Sequence, residues 1–159
     1  MEQFKKIYSE YKHRVYFFVR KYVRQETDVE DIVQDIFVHL WKHLDKADSP
    51  SAVEAIIFKA SKQEISNFYR RNKILFVSSE ENIIPENADD ISDEVSAQEQ
   101  MKKVEVLLDK LPMKTKELLL RHTTQNISYS KLADEHKVSK TAIGKQINKA
   151  LDFLKINLQ

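Results

Sequence analysis

The stretch Thr27-Asp-Val-Glu-Asp-Ile-Val-Gln-Asp-Ile-Phe-Val-His-Leu-Trp41 decides how this chain is read. At about 100° per residue, Val29, Ile32, Val33, Ile36, Phe37, Leu40, Trp41 and Leu44 fall on one half of a helical wheel, the half that packs against a core. The opposite half carries Asp28, Asp31, Gln34 and Asp35, with Val38 set among them where a solvated face would prefer Lys or Glu. Thr27 and Glu30 have the spacing of a capping box and predict that the helix starts there. An acidic face can be simply solvated, or it can be a docking surface; the rest of the chain bears on which.

Upstream, Phe4, Ile7, Tyr8, Tyr11, Val15, Phe18, Val19 and Tyr22 recur at threes and fours, which predicts a first helix over 2–24 with an aromatic core stripe. Downstream, Asp45 to Pro50 break the pattern. Ser51 with Glu54 then predicts a cap for a third helix running through Ile56, Ile57, Ala60, Ile65, Phe68 and Tyr69 to Lys73. Periodicity stops over 74–95, where Pro85 and a run of acidic and small polar residues predict an extended connector. Ser96 and Glu99 predict the cap of a helix bearing Met101, Val104, Leu107, Leu108 and Leu111, and Pro112 opens another around Leu118, Leu119 and Leu120. Ser128 then precedes a short helix with Leu132 and Ala133, a turn falls at 136–138, and Ser139 caps a last helix with Ile143, Ile147, Ala150, Leu151 and Leu154 inside.

A single Gly and three Pro leave too little turn chemistry for a sheet protein, so the fold class is all-α. The domains divide as 1–73, an acidic linker over 74–95, and 96–159. Net charge follows a similar division: +3 over 1–73, −8 over 74–99 and +6 over 100–159, adding to the overall +1. Basic ends around an acidic middle suit a nucleic-acid binder whose connector avoids the nucleic acid, or simply a solubilising linker. With no Cys there is no disulfide framework or thiolate metal site. No apolar run approaches the ~20 residues of a membrane span, and Met1-Glu-Gln-Phe-Lys-Lys6 is not a signal peptide. The expectation is a cytoplasmic protein without membrane insertion.

Catalytic and cofactor constellations are weak. One glycine, Gly144, cannot build a phosphate-binding loop, and no nucleophile elbow occurs. Asp35, His39 and His43 recur every four residues, but each step drifts about 40° around the helix, so the three do not converge and no metal site is expected. Asn67-Phe-Tyr-Arg-Arg-Asn-Lys73 interleaves aromatics with cations, a pattern that holds unpaired bases, although the aromatics can equally belong to the core and the cations to the helix C-terminus. Helix, tight turn, helix from Ser128 onward is the helix-turn-helix pattern, and Thr141, Lys145, Asn148 and Lys149 share the face opposite its apolar stripe. An ordinary helical hairpin with a solvated lysine face fits the same residues.

Taken in order, the Asp31-x-x-Gln34-Asp35 helix, the helix ending Tyr69-Arg-Arg71, Leu111-Pro112 and the final helix-turn-helix resemble a sigma-70 family RNA polymerase sigma factor of the small extracytoplasmic function (ECF) group. The resemblance implies a three-helix region 2 domain over 1–73 and a helix-turn-helix region 4 domain over 96–159, with no enzymatic activity and no cofactor. It implies that Asp31, Gln34, Asp35 and exposed Val38 contact the clamp coiled coil of the largest subunit of core RNA polymerase. It puts Lys59, Gln63, Asn67, Arg70 and Arg71, with the 45–50 loop, at the minus 10 element of promoter DNA. At the minus 35 element it puts Ser139, Lys140, Thr141, Lys145, Asn148 and Lys149. An anti-sigma factor is a partner by family habit. Ala47, Ile56, Gln63, Lys131 and Gly144 depart from the residues common at those positions. The other readings are a free-standing helix-turn-helix regulator whose first 73 residues sense or dimerise, and a helical interaction protein that binds no DNA.

Overall fold

The computed structural model describes residues 2–72 and 94–158, with side chains in the second stretch from 99 onward. Its helices are α1 (Glu2–Arg20), α2 (Glu26–Lys42), α3 (Pro50–Asn72), α4 (Glu94–Asp109), α5 (Met113–Gln125), α6 (Tyr129–His136) and α7 (Lys140–Leu158), with a 3-10 turn at Leu44–Lys46. The all-α expectation holds, with no strand among the described residues. None of the described helices is long and apolar enough to cross a membrane.

α1, α2 and α3 form the first bundle around Ile32, Ile36, Leu40, Ile57 and Ile65, all essentially buried. The aromatic stripe of α1 closes it through edge contacts: Tyr8 with Phe37 at 4.8 Å and Phe4 with Trp41 at 5.1 Å between ring centroids. Met101, Leu108, Leu118, Leu119 and Leu132 centre the second bundle, in which α7 packs on α4, α5 and α6. The two bundles also pack on each other: α4 lies along α1 and α3, and α5 touches α1, so their apolar residues join in one buried cluster. This seam carries its own ion pairs. Glu105 of α4 receives His13 and Arg14 of α1, the latter at 2.9 Å, and Glu26 of α2 receives His122 of α5 at 3.2 Å.

Several helix ends differ from the expected ones. α1 stops at Arg20 rather than Arg24: Lys21 N–H is shared between the Phe17 and Phe18 carbonyls, both at 3.3 Å, and Tyr22 N–H turns back to Val19 O at 2.9 Å, while the Tyr22 carbonyl accepts the Tyr69 hydroxyl from α3. α2 starts ahead of Thr27, with Gln25 at the cap position making no side-chain bond and its carbonyl accepting Val29 N–H at 2.9 Å. Glu26 is thus in the first turn, where its carboxylate meets His122. α3 is capped by Ser49, not Ser51: Ser49 Oγ accepts Ala52 N–H at 3.1 Å and Pro50 takes the first helical position, where its missing N–H costs nothing. α4 begins at Glu94, so Ser96 lies inside it, as do the last two residues of the expected linker. The remainder of that linker, 74–93, lies outside the described residues. At the other end of the chain Ser128 and Ser139 cap as expected, accepting Lys131 N–H at 3.1 Å and Ala142 N–H at 3.0 Å.

Candidate polymerase and promoter interfaces

On α2 the packing of Val29, Ile32, Val33, Ile36, Phe37 and Leu40 into the core turns Asp31, Gln34 and Asp35 outward, all exposed. Val38 is 45% exposed among them, and none of the four side chains has a hydrogen bond or ion pair among the described residues. Trp41 departs from its expected burial. Twelve residues beyond Val29 the wheel has turned about 120°, so Trp41 rests one edge on Phe4 and leaves 44% of its surface open. It extends the outward stripe by one turn past Val38. Sequence reasoning missed it by grouping residues on half a wheel, although the drift was calculable.

On α3, Lys59, Gln63, Arg70 and Arg71 are exposed and Asn67 is half-buried. Successive positions fall within about 120° of the wheel, so they line one face. Phe68 and Tyr69 stand apart from them: Phe68 is buried, and Tyr69 is half-buried with its hydroxyl donated to Tyr22. Neither ring is presented to a base, which resolves the mixed aromatic and basic run into core aromatics and an outward cationic face. Ala47 in the preceding loop is buried with its carbonyl accepting Gln3 Nε2 at 3.4 Å, so the loop offers no aromatic side chain there.

α6 and α7 meet through a tight turn in which Lys137 adopts the left-handed conformation (φ 55°) and Val138 N–H returns to Ala133 O at 3.1 Å. A non-glycine residue there costs about 1 kcal/mol, accepted because the turn sets α7 beneath α6. Ser139, Lys140, Thr141, Lys145, Asn148 and Lys149 are all exposed on the outer side of α7. Gln146 is tied down instead, donating to Thr115 Oγ1 at 2.8 Å. Gly144 is not required by crowding: a Cβ there would meet only the Tyr129 ring, at 3.5 Å, an ordinary contact. Tyr129 in turn stacks on His122, 4.3 Å between centroids, the histidine that reaches Glu26 across the seam.

His39 and His43 stack at 4.8 Å with His43 Nδ1 against the His39 carbonyl, 3.0 Å away. Among the described residues no group of three possible ligands could hold a metal ion. The seam pairs are what the sequence could not disclose, since Glu105 lies more than 90 residues from its partners. Burial pushes the Glu105 carboxyl up, but the hydrogen bond and charge of His13, then those of Arg14, outweigh it and hold the group below the ordinary carboxylate range.

Residues 7–74 match the family described as Sigma-70 region 2. The chain is also similar to the protein named RNA polymerase sigma factor NccH from Alcaligenes xylosoxydans xylosoxydans, 27% identical over 141 residues that cover 84% of this chain and 75% of that protein.

Proposed function

We propose, from the premise that the chain belongs to the sigma-70 family and is an RNA polymerase sigma factor, that it is of the ECF type and acts as a promoter-specificity subunit with no catalytic chemistry of its own. The observation that carries this reading is the outward stripe of α2, where two carboxylates and an amide lie unpartnered among the described residues beside exposed Val38 and Trp41. Carboxylates steer and orient a basic partner; desolvated apolar anchors among them supply most of the affinity. The partner is the clamp coiled coil of core polymerase.

With α2 docked, the α3 face of Lys59, Gln63, Asn67, Arg70 and Arg71 holds the strand opened at the minus 10 element. Cations hold the phosphates and the amides reach base edges, and an already unpaired base spares the work of extraction from a duplex. α7 enters the major groove at the minus 35 element: Ser139 and Lys140 lie near phosphates, and Thr141, Lys145, Asn148 and Lys149 face the groove. Each well-made bidentate contact discriminates by about 1–3 kcal/mol. Gly144 lies beside this face, its missing Cβ directed at the Tyr129 ring, and adds no contact of its own. This work belongs in the cytoplasm, and an anti-sigma factor would act by covering the α2 stripe or the α7 face.

Run-off transcription with purified core polymerase on a genomic fragment library is the test. Promoter-dependent transcripts that appear only when the protein is added are the expected result. A protein that binds DNA fragments tightly alone and directs no transcript is instead a free-standing regulator.

A further inference from the structure

Where carboxylates pair across the seam between the bundles, the opposite side supplies the partner, as for Glu105 with His13 and Arg14 and for Glu26 with His122. One point breaks the pattern. Where the end of α1 passes α4 and the last turn of α7, a cleft of about 310 Å³ is lined by Phe18, Lys21, Glu99, Lys103, Val104 and Leu158. Lys21 comes from one bundle and Lys103 from the other, and neither has an ion pair among the described residues. Lys21 has only the Tyr22 ring, its centroid 5.5 Å from Nζ. Burial, and after it the charge of Lys103, pulls the Lys21 ammonium below the ordinary lysine range. Lys103 is exposed and Lys21 part-buried, so their like charges oppose the packing only through a partly screened repulsion, which an anion between them would turn into attraction.

Below the lysines the cleft is apolar: Phe18, Val104 and Leu158 are all buried in the shared core. Its volume is at the small end of ligand sites, which run from ~300 to ~1,000 Å³. Glu99 at the rim makes no ion pair among the described residues, and its charge works against a polyanion such as a nucleic-acid strand. We propose that this cleft binds a small organic monoanion, a carboxylate on an apolar body, with its head between Lys21 and Lys103 and its tail over Phe18, Val104 and Leu158. Because such a ligand touches both bundles, it binds the packed form and holds the seam together. The inference does not rest on the proposed role in transcription, although a ligand that holds the seam opposes any step that parts the bundles.

Octanoate is a suitable probe for the full-length chain, with octanol and inorganic phosphate as controls, followed by titration calorimetry and thermal unfolding. Octanoate binds saturably and raises Tm, whereas octanol and phosphate, each offering half of the contacts, bind at least about tenfold more weakly. Lys103→Gln and Lys21→Gln each weaken octanoate by about tenfold or more, while their Tm without ligand stays level or rises because a like-charge contact is gone. A lysine with a merely structural role would lower that Tm. No saturable octanoate binding, equal binding by octanol or phosphate, or undiminished binding in both variants overturns the proposal.

Discussion

α2 and α7 are built alike and finished differently. Each buries an apolar stripe in its own bundle and turns a polar face outward, and each begins with a turn ahead of it. The outward face of α2 keeps two large apolar side chains, Val38 and Trp41, among carboxylates. That of α7 carries lysines, an asparagine and a threonine beside a glycine over 140–149, and its exposed apolar residue, Ile156, lies about two turns farther on. Apolar anchors gain most by being desolvated against another protein, whereas cations and small polar groups gain most at a phosphate backbone or a base edge. On the proposed reading it is the position of the exposed apolar residues, among the carboxylates on α2 but beyond the polar set on α7, that assigns α2 to the protein partner.

The largest effect expected is on the α2 stripe. Asp31→Arg with Asp35→Arg abolishes retention on immobilised core polymerase while far-UV circular dichroism is unchanged; undiminished retention breaks the assignment of this face. Next comes Trp41→Ala, which weakens polymerase binding by about 2 kcal/mol, some thirtyfold, as for a central aromatic anchor. Its cost to folding is smaller, since the ring rests only an edge on Phe4. Equal losses in binding and in stability would make Trp41 a packing residue only.

For α7 the sharper measurement is the salt dependence. Lys149→Ala reduces promoter binding and lowers the slope of log K against log salt by about one, while Lys155→Ala, exposed but placed beyond the groove-facing set, leaves both unchanged. Matching losses would rotate the helix away from the orientation proposed. Smaller still, Gly144→Ala raises stability by about 1 kcal/mol through helix propensity, because the new methyl meets Tyr129 at ordinary contact distance. A fall in Tm would mean that the Tyr129 and His122 stack resists even that contact.

The seam provides a control that belongs to neither face. Glu105→Gln lowers stability by about 1 kcal/mol without altering the α2 or α7 surfaces. A carboxyl held below its ordinary range contributes stability above the ordinary carboxylate pKa and loses it as pH falls through the depressed value. The stability difference between the parent protein and the Glu105→Gln variant is therefore full at neutral pH and shrinks in acid, below about pH 4; a constant difference would exclude the ionised pair.

The helices were legible because each buries a stripe at a period near 3.6, and that stripe is written locally. Their ends were less so. Thr27 and Ser51 have capping-box spacing and neither begins its helix, because the helices start earlier, at Gln25 and Ser49, and Ser96 falls inside α4. Gln25 is displaced into that role beside Glu26, whose partner lies in α5, and no local pattern encodes such a choice. The polar faces were legible as faces, with Trp41 lost to angular drift and Phe68 with Tyr69 correctly one of two open readings. The packing of one bundle on the other had no trace in the sequence, since it depends on pairs such as His13 with Glu105 that share no periodicity.

That packing sets a length. A packed chain of 159 residues has a radius of gyration of about 15 Å, hence a diameter of roughly 40 Å. Promoter elements at minus 10 and minus 35 are about 25 base pairs apart, or ~85 Å at 3.4 Å per pair. If both elements are read at once, as proposed, the packed body cannot span them, and α4 and α5 must then part from α1. On that reading the contacts at Glu105 and Glu26 would set a threshold for polymerase and DNA together to exceed, and only the parted fraction of free molecules would be ready to bind.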